Sequence, residues 1–260
     1  MPLLEKIFKL KPDQSQLLYS EQINGQLIEV REFENYRWLQ IGGSSIQTLM
    51  DVNSPSQIVL PNIKAMMAAL LFCPKPQQLL NIGMGGGLFE RFFATKYPEL
   101  KITSLESNES IIRLSKEFFF LTEENLIIND SAELFLARKH SSFDIILCDI
   151  FIAEKHSDCL YAEDFYASAS CCLNKTGVFV MNLIPSSEDD LVVIISAMRN
   201  DFNHISLLEV PGHSNIIIFA SQYKLLGRVS LEIEADALFR RTKLDLTDVP
   251  QRLTRLLGNM

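Results

Sequence analysis

Leu79-Leu80-Asn81-Ile82-Gly83-Met84-Gly85-Gly86-Gly87 runs from an apolar strand into a glycine bend, and Phe89 to Lys96 then follows with helical spacing. Strand, tight turn and helix in that order form one half of a βαβ unit. Glycines at the bend allow left-handed backbone and a close approach to a ligand, with the following helix amides aimed at it. Outward from this point the same unit repeats. Ile102–Leu105 precedes a helix over Ser110–Phe119, and Leu126–Ile128 precedes one over Ala132–Lys139. Phe143–Cys148 precedes a helix over Glu163–Leu173, and Val178–Asn182 one over Asp189–Asn200. Regular alternation predicts an α/β fold with a mostly parallel, Rossmann-like sheet covered by helices. Ile205–Val210 and Asn215–Ala220 flank Pro211-Gly212 and are expected to form an antiparallel pair at the sheet edge.

Upstream, Gln26–Val30, Arg37–Ile41 and Ser45–Leu49 carry strand formers, with turns at Asn24-Gly25 and Gly42-Gly43. Residues 1–54 are therefore expected to make a small antiparallel β-domain, and residues 55–260 the Rossmann-like domain. Pro61–Phe72 has one apolar face at helical spacing and stops before Pro74-Lys75-Pro76. Ser230 to Leu257, charged and amphipathic, predicts one or two surface helices capping the sheet.

Composition excludes several functions. A net charge of −8 without a basic run argues against nucleic-acid binding. No apolar run approaches the roughly 18–20 residues of a membrane span, and Met1–Leu10 is unlike a signal peptide, so a cytoplasmic protein is expected. Five cysteines without a C-x-x-C pair and four scattered histidines leave metal binding without support.

Glu106 closes the second core strand about 20 residues beyond the bend, where a carboxylate accepts both hydroxyls of a ribose; a solvated strand-end acid is the alternative. Position 88 is Leu where a dinucleotide fingerprint has its third glycine, and no G-x-x-x-x-G-K-[ST] loop occurs. The pattern suits a nucleoside without phosphate, against the simpler possibility of a structural turn. Asp130 is placed to meet an adenine amino group or, with Glu133, to form a capping box. Asp149 ends the fourth strand, where active-site groups of open parallel sheets collect, and is either a general base or a loop residue.

Together these segments resemble the spermidine/spermine synthase family, the polyamine aminopropyltransferases with the class I methyltransferase fold, over about Ser20 to Leu257. Ile41-Gly-Gly-Ser-Ser-Ile-Gln47 is similar to the family's D-G-x-x-Q turn, and Leu80 to Gly87 to its glycine loop. Ser104-Leu105-Glu106-Ser107 resembles the ribose-binding strand end, and Asn129-Asp130-Ser131-Ala132 the adenine-side step. Tyr161–Tyr166 and Gly177–Leu183 resemble the segment and strand that follow, and Pro55–Leu60 with Met66 is nearest the bacterial spermidine synthase-like branch.

The resemblance implies a transferase whose co-substrate, S-adenosylmethionine or its decarboxylated form, is held by Gly83, Gly85, Gly87, Glu106, Ser107, Asp130 and Ser131. It further implies Asp149 as catalytic base, Gln47 closing the site, a small-molecule acceptor of the polyamine class, and a homodimer. The run Phe118-Phe119-Phe120 would serve as an exposed interface or pack on the sheet. Departures fall on the polyamine side. Gly86 stands where the loop usually has aspartate, Ile152 where D-x-x-D has its second acid, and Leu60-Pro61-Asn62 where a Tyr-His-Glu cluster occurs. A small-molecule methyltransferase and a non-catalytic nucleoside-binding relative remain open alternatives. Cys148, next to Asp149, is either a reactive thiol or a buried one.

Overall fold

A computed structural model describes residues 3–23, 25–42, 45–138, 142–152 and 155–256. Asn24 and Gly43 of the expected turns, Ser44 of the D-G-x-x-Q-like segment, Lys139 and Leu257 lie outside the described residues, as does the side chain of Ile152. After helix α1 (Leu3–Phe8) come strands β1 (Gln16–Ile23), β2 (Gln26–Phe33), β3 (Tyr36–Ile41) and β4 (Ser45–Asp51), an antiparallel sheet in sequence order. Then follow α2 (Pro61–Met66), α3 (Ala69–Phe72), β5 (Gln78–Ile82), α4 (Leu88–Lys96), β6 (Lys101–Leu105), α5 (Glu109–Phe118), β7 (Leu126–Ile128) and α6 (Ala132–Arg138). The remainder is β8 (Phe143–Cys148), the short hairpin β9 (Phe151–Ile152) and β10 (Lys155–His156), α7 (Glu163–Cys171), β11 (Leu173–Leu183) and α8 (Glu188–Met198). The chain ends with β12 (His204–Glu209), β13 (Ile216–Ser221), α9 (Arg228–Thr242), α10 (Val249–Arg252) and β14 (Thr254–Arg255).

The large sheet has the order β14-β12-β13-β11-β8-β5-β6-β7. Pairs from β11 to β7 are parallel, and β13 is antiparallel to both its neighbours. The chain winds outward from β5 through β6 to β7, then returns to β8 on the other flank of β5. The carboxyl ends of β5 and β8 therefore form the switch point at which open α/β sheets bind ligands. β5 and β8 are buried on both faces apart from the half-buried Gln78 and Asp144, as their mostly apolar residues require, and the one buried polar residue, Asn81, is hydrogen-bonded to Glu90.

The small sheet is no loose appendage. Trp38 and Leu49 on one face join the core with α2, α3 and α4, while Ile28, Val30, Leu39 and Met50 on the other pack on Ile111, Leu114 and Phe119. Successive residues such as Trp38 and Leu39 face opposite ways, so both faces are covered. Phe119 is completely buried in this contact, Phe118 packs against it, and only Phe120 is exposed, so of the two alternatives for this run the first two residues take the packing one.

Three elements differ from expectation. The helix over Pro61–Phe72 is interrupted at Met67 and Ala68, a break that periodicity does not report because residues 65–71 are all buried. β1 adds a fourth strand to the small sheet; its mostly exposed, polar residues conceal it. Within the stretch expected to form cap helices, Thr254–Arg255 make the two-residue strand β14 beside β12, so β12 is not the outermost strand. No helix among the described residues is long and apolar enough to cross a membrane.

Candidate functional site

At the switch point lies a cavity of about 240 Å³. Its walls come from β4 (Gln47, Thr48, Leu49), Leu60 just before α2 and Ile63 within it, the bend (Gly83, Met84, Gly85), and the residues after β6 (Glu106, Ser107), β7 (Asp130, Ser131) and β8 (Asp149, Ile150). The structure thus brings together eight of the nine residues singled out in the sequence. Gly87 is the exception. It adopts φ 73° as the residue before α4, and a Cβ there would meet Leu121 Cδ2 at 2.6 Å, so it is a helix-entry glycine packed against the core.

The other glycines also owe their identity to protein neighbours rather than to a ligand. Gly83 has φ 82°, and a Cβ would overlap the carbonyl of Asp149, lying 2.9 Å from its carbon. At Gly86 a Cβ would stand 3.0 Å from Cβ of Thr48 and closer still to its methyl group. The bend amides are also engaged within the protein. Gly83 and Met84 donate to Leu105 O (3.0 and 3.1 Å), Gly85 to Glu106 Oε2 (3.3 Å), Gly86 to Thr48 Oγ1 (2.8 Å) and Gly87 to Met84 O (3.1 Å). The amides of the bend itself are thus held within the protein, while Leu88 and Phe89 at the start of α4 line the cavity. The end of β6 and Thr48 of the small sheet take up four of these donors, and Met84 O of the bend itself takes the fifth.

Thr48 carries no signal in the sequence, being one more β-branched residue on a strand. Its contact explains Gly86. An aspartate at 86 has no room while β4 presses Thr48 against the bend. Gly86→Ala is expected to destabilise the protein by about 1–3 kcal/mol, as overpacking does. Adding Thr48→Ser, which removes the nearest methyl group, should recover part of the loss. Denaturant unfolding of both single variants and the double variant reads this coupling.

Behind the bend, Arg91 donates to Gly86 O, to Phe119 O (2.6 Å) and to Pro55 O (2.9 Å), tying the bend to the end of α5 and to the segment after β4. Its burial lowers the guanidinium pKa to about 10. Glu90 accepts from Asn81 Nδ2 (2.8 Å) and Ser104 Oγ, anchoring α4 to β5 and β6.

Glu106 points into the bend, accepting from Gly85 N–H and from Asn108 N–H (3.0 Å). Burial pushes its carboxyl pKa up, against the pull of the backbone N–H groups of Asn108, Gly85 and Ser107. Asn129 Nδ2 holds the Glu106 carbonyl at 2.8 Å, fixing the turn that presents the side chain. Asp130 accepts from Ser131 N–H (2.9 Å) and pairs with Arg138. The helix cap falls on Ser131, whose Oγ accepts from Leu134 N–H (3.3 Å), so the expected Asp130–Glu133 capping box is not formed. Glu133 instead faces the cavity.

Asp149 sits at the opposite wall. Burial raises its pKa to about 6, opposed by a hydrogen bond from Asn182 Nδ2 to Oδ1 at 2.9 Å. Asn182 itself was readable as a polar residue in the apolar run of β11. Neighbouring Cys148 is fully buried with its thiol pKa raised, which makes it an inert core residue. Leu60 and Ile63 line the cavity near the expected Tyr-His-Glu position; Asn62 is not among the lining residues.

Residues 62–201 match the family model described as the spermine/spermidine synthase domain. The chain belongs to the spermine/spermidine synthase family. A polyamine aminopropyltransferase of Chromobacterium violaceum is 31% identical over 234 residues, covering 87% of this chain and 88% of the relative. One of Neisseria meningitidis is 32% identical over 202 residues, covering 75% and 76%. Among solved structures, a probable spermidine synthase from Corynebacterium glutamicum superposes with a TM-score of 0.74 at 18% identity, covering 94% of this chain and 91% of that one. The family's two-part fold, a small β-sheet beside a class I methyltransferase-like sheet, is thus the fold described above.

Proposed function

We propose that this family member transfers an aminopropyl group from decarboxylated S-adenosylmethionine to an amine. One observation carries this choice of donor. Four carboxylates (Glu106, Asp130, Glu133 and Asp149) face the cavity, and no Lys, Arg or His is among its described lining residues. A donor with a sulfonium and an ammonium suits such a wall. The carboxylate of the parent S-adenosylmethionine would instead meet these four acids, with no cationic side chain among the described lining residues to offset it. The same observation tells against methyl transfer from the parent.

In this proposal Glu106 accepts from the ribose hydroxyls, and Ser107, Asp130 and Ser131 border the base. Gly83 and Gly85 line the cavity wall, and Gln47 and Thr48 close it from the small sheet. Asp149 orients the acceptor amine and takes up the proton it sheds as the new C–N bond forms and the C–S bond breaks, the sulfur keeping the electron pair and leaving as neutral 5′-methylthioadenosine. The chain's relatives, named polyamine aminopropyltransferases, support an acceptor of that class.

Calorimetry with both donors, followed by product detection with putrescine and longer polyamines, tests the proposal. The decarboxylated donor is expected to bind at least about tenfold more tightly, the equivalent of one unmatched charge. Tighter binding of the parent, or no turnover with any polyamine, would reject it. The pH dependence has a definite sign. Asp149 is active when deprotonated and its pKa is about 6, so the acid limb of kcat/KM should have its midpoint near 6. Below that midpoint the rate falls roughly tenfold per pH unit.

A further inference from the structure

We infer that Asn215, which does not line the cavity, is a positioning residue for Asp149 and acts through the amide of Asn182. The inference rests on the proposed role of Asp149. β11 and β13 are antiparallel with Asn182 opposite Ile217. Asn215, two residues before Ile217 and just outside β13, therefore falls diagonally across from Asn182 on the same face. Its Nδ2 donates to Asn182 Oδ1 at 2.9 Å, and Asn182 Nδ2 donates to Asp149 Oδ1 at 2.9 Å.

The direction of this chain is forced by chemistry. An ionised carboxylate only accepts, so Asn182 must turn its NH2 toward Asp149 and its oxygen away. A side-chain amide turned by half a revolution has nearly the same shape, so packing alone distinguishes the two orientations poorly. In the wrong one, two oxygens would face each other. Asp149 favours the first orientation from its own side, and the donor that Asn215 supplies on the far side adds to that preference. The connection between β12 and β13 holds Asn215 in place, since Val210 N–H donates to Asn215 O at 3.0 Å. Asn182 is 1% exposed, so water does not substitute readily for the missing donor.

The test is a direct titration of Asp149 by carbon NMR in protein labelled at aspartate side-chain carboxyls, with Asp149→Asn identifying its resonance. Asn215→Asp keeps the size of the side chain but replaces the donor by an acceptor. Asn182 should then turn its NH2 outward and present its oxygen to Asp149, moving the midpoint upward by about one pH unit, a tenfold change in proton affinity. Asn215→Ala, which removes the preference without reversing it, should give a smaller upward move. Glu106, Asp130, Glu133 and Cys148 around Asp149, and Glu209, His213 and Arg252 around Asn215, are unchanged throughout.

In an Asn182→Ala background, Asn215→Asp should no longer move the midpoint. Binding of 5′-methylthioadenosine should stay within about twofold in each Asn215 variant. An unmoved midpoint in either variant would overturn the inference, and so would a shift that survives loss of Asn182 and reports only a new charge nearby. Failure of the proposed function is separate. There, Asp149→Asn would retain transfer activity while the titration still reports on the hydrogen-bond chain.

Discussion

An Asp149→Asn variant is expected to lose about 10²–10⁴-fold in kcat, the range of a positioned general base. Binding of 5′-methylthioadenosine should change little. The asymmetry follows from the geometry. Asp149 ends β8, whereas Glu106 and Ser107 at the end of β6 and Asp130 and Ser131 after β7 lie across the bend from it. The amide is isosteric, so Asn182 and the backbone around it keep their places. Steady-state kinetics with the decarboxylated donor, beside calorimetry with 5′-methylthioadenosine, separate rate from affinity. A variant that keeps its rate would remove Asp149 from the chemistry. One that loses affinity as steeply as rate would make it a binding residue.

The second large effect is expected at Gly83. The left-handed conformation alone costs a non-glycine residue about 1–2 kcal/mol. A Cβ at 83 would also overlap the Asp149 carbonyl, because β5 and β8 are direct neighbours and Asp149 N–H donates to Ile82 O at 2.9 Å. Gly83→Ala should therefore destabilise the protein by more than about 3 kcal/mol, among the large single-site effects. At this chain length that lowers Tm by roughly 6–12 °C. If the chain folds, the β8 end must retreat, and transfer activity should fall together with stability. Thermal unfolding and kinetics on the same preparation check both. A Tm within about 2 °C of the parent's would show that the bend and β8 are less tightly packed than described.

The parallel core was legible from residue pattern. Leu126–Ile128 and Phe143–Cys148 are strands with the expected bounds, and the helix after the bend begins one residue from expectation. Short apolar runs alternating with amphipathic stretches leave few arrangements open, and right-handed crossovers select among them. The strand ends were legible too, because an acid closing an apolar run stands out. Glu106, Asp130 and Asp149 were all found that way. Patterning failed where burial is uniform or absent. Residues 65–71 hide their helix break by being buried on every side, and β1 hides by being mostly exposed. The hairpin of β9 and β10 has strands of two residues each, too short for any period to register.

The sequence by itself determined the order of the core strands and their helices, the acids at the strand ends and the family. Each depends on local periodicity or on residue types at fixed spacing. Tertiary structure decided why the bend is made of glycine and what its amides face. Thr48 comes from another sheet, Leu121 from beyond α5 and the Asp149 carbonyl from β8. None of those neighbours is close in the chain, so no local pattern could announce them. The same holds for Asn182 and Asn215, whose meeting depends on the register of two antiparallel strands. Hydrogen bonds and overlaps act over a few ångströms of space, whatever the separation along the chain.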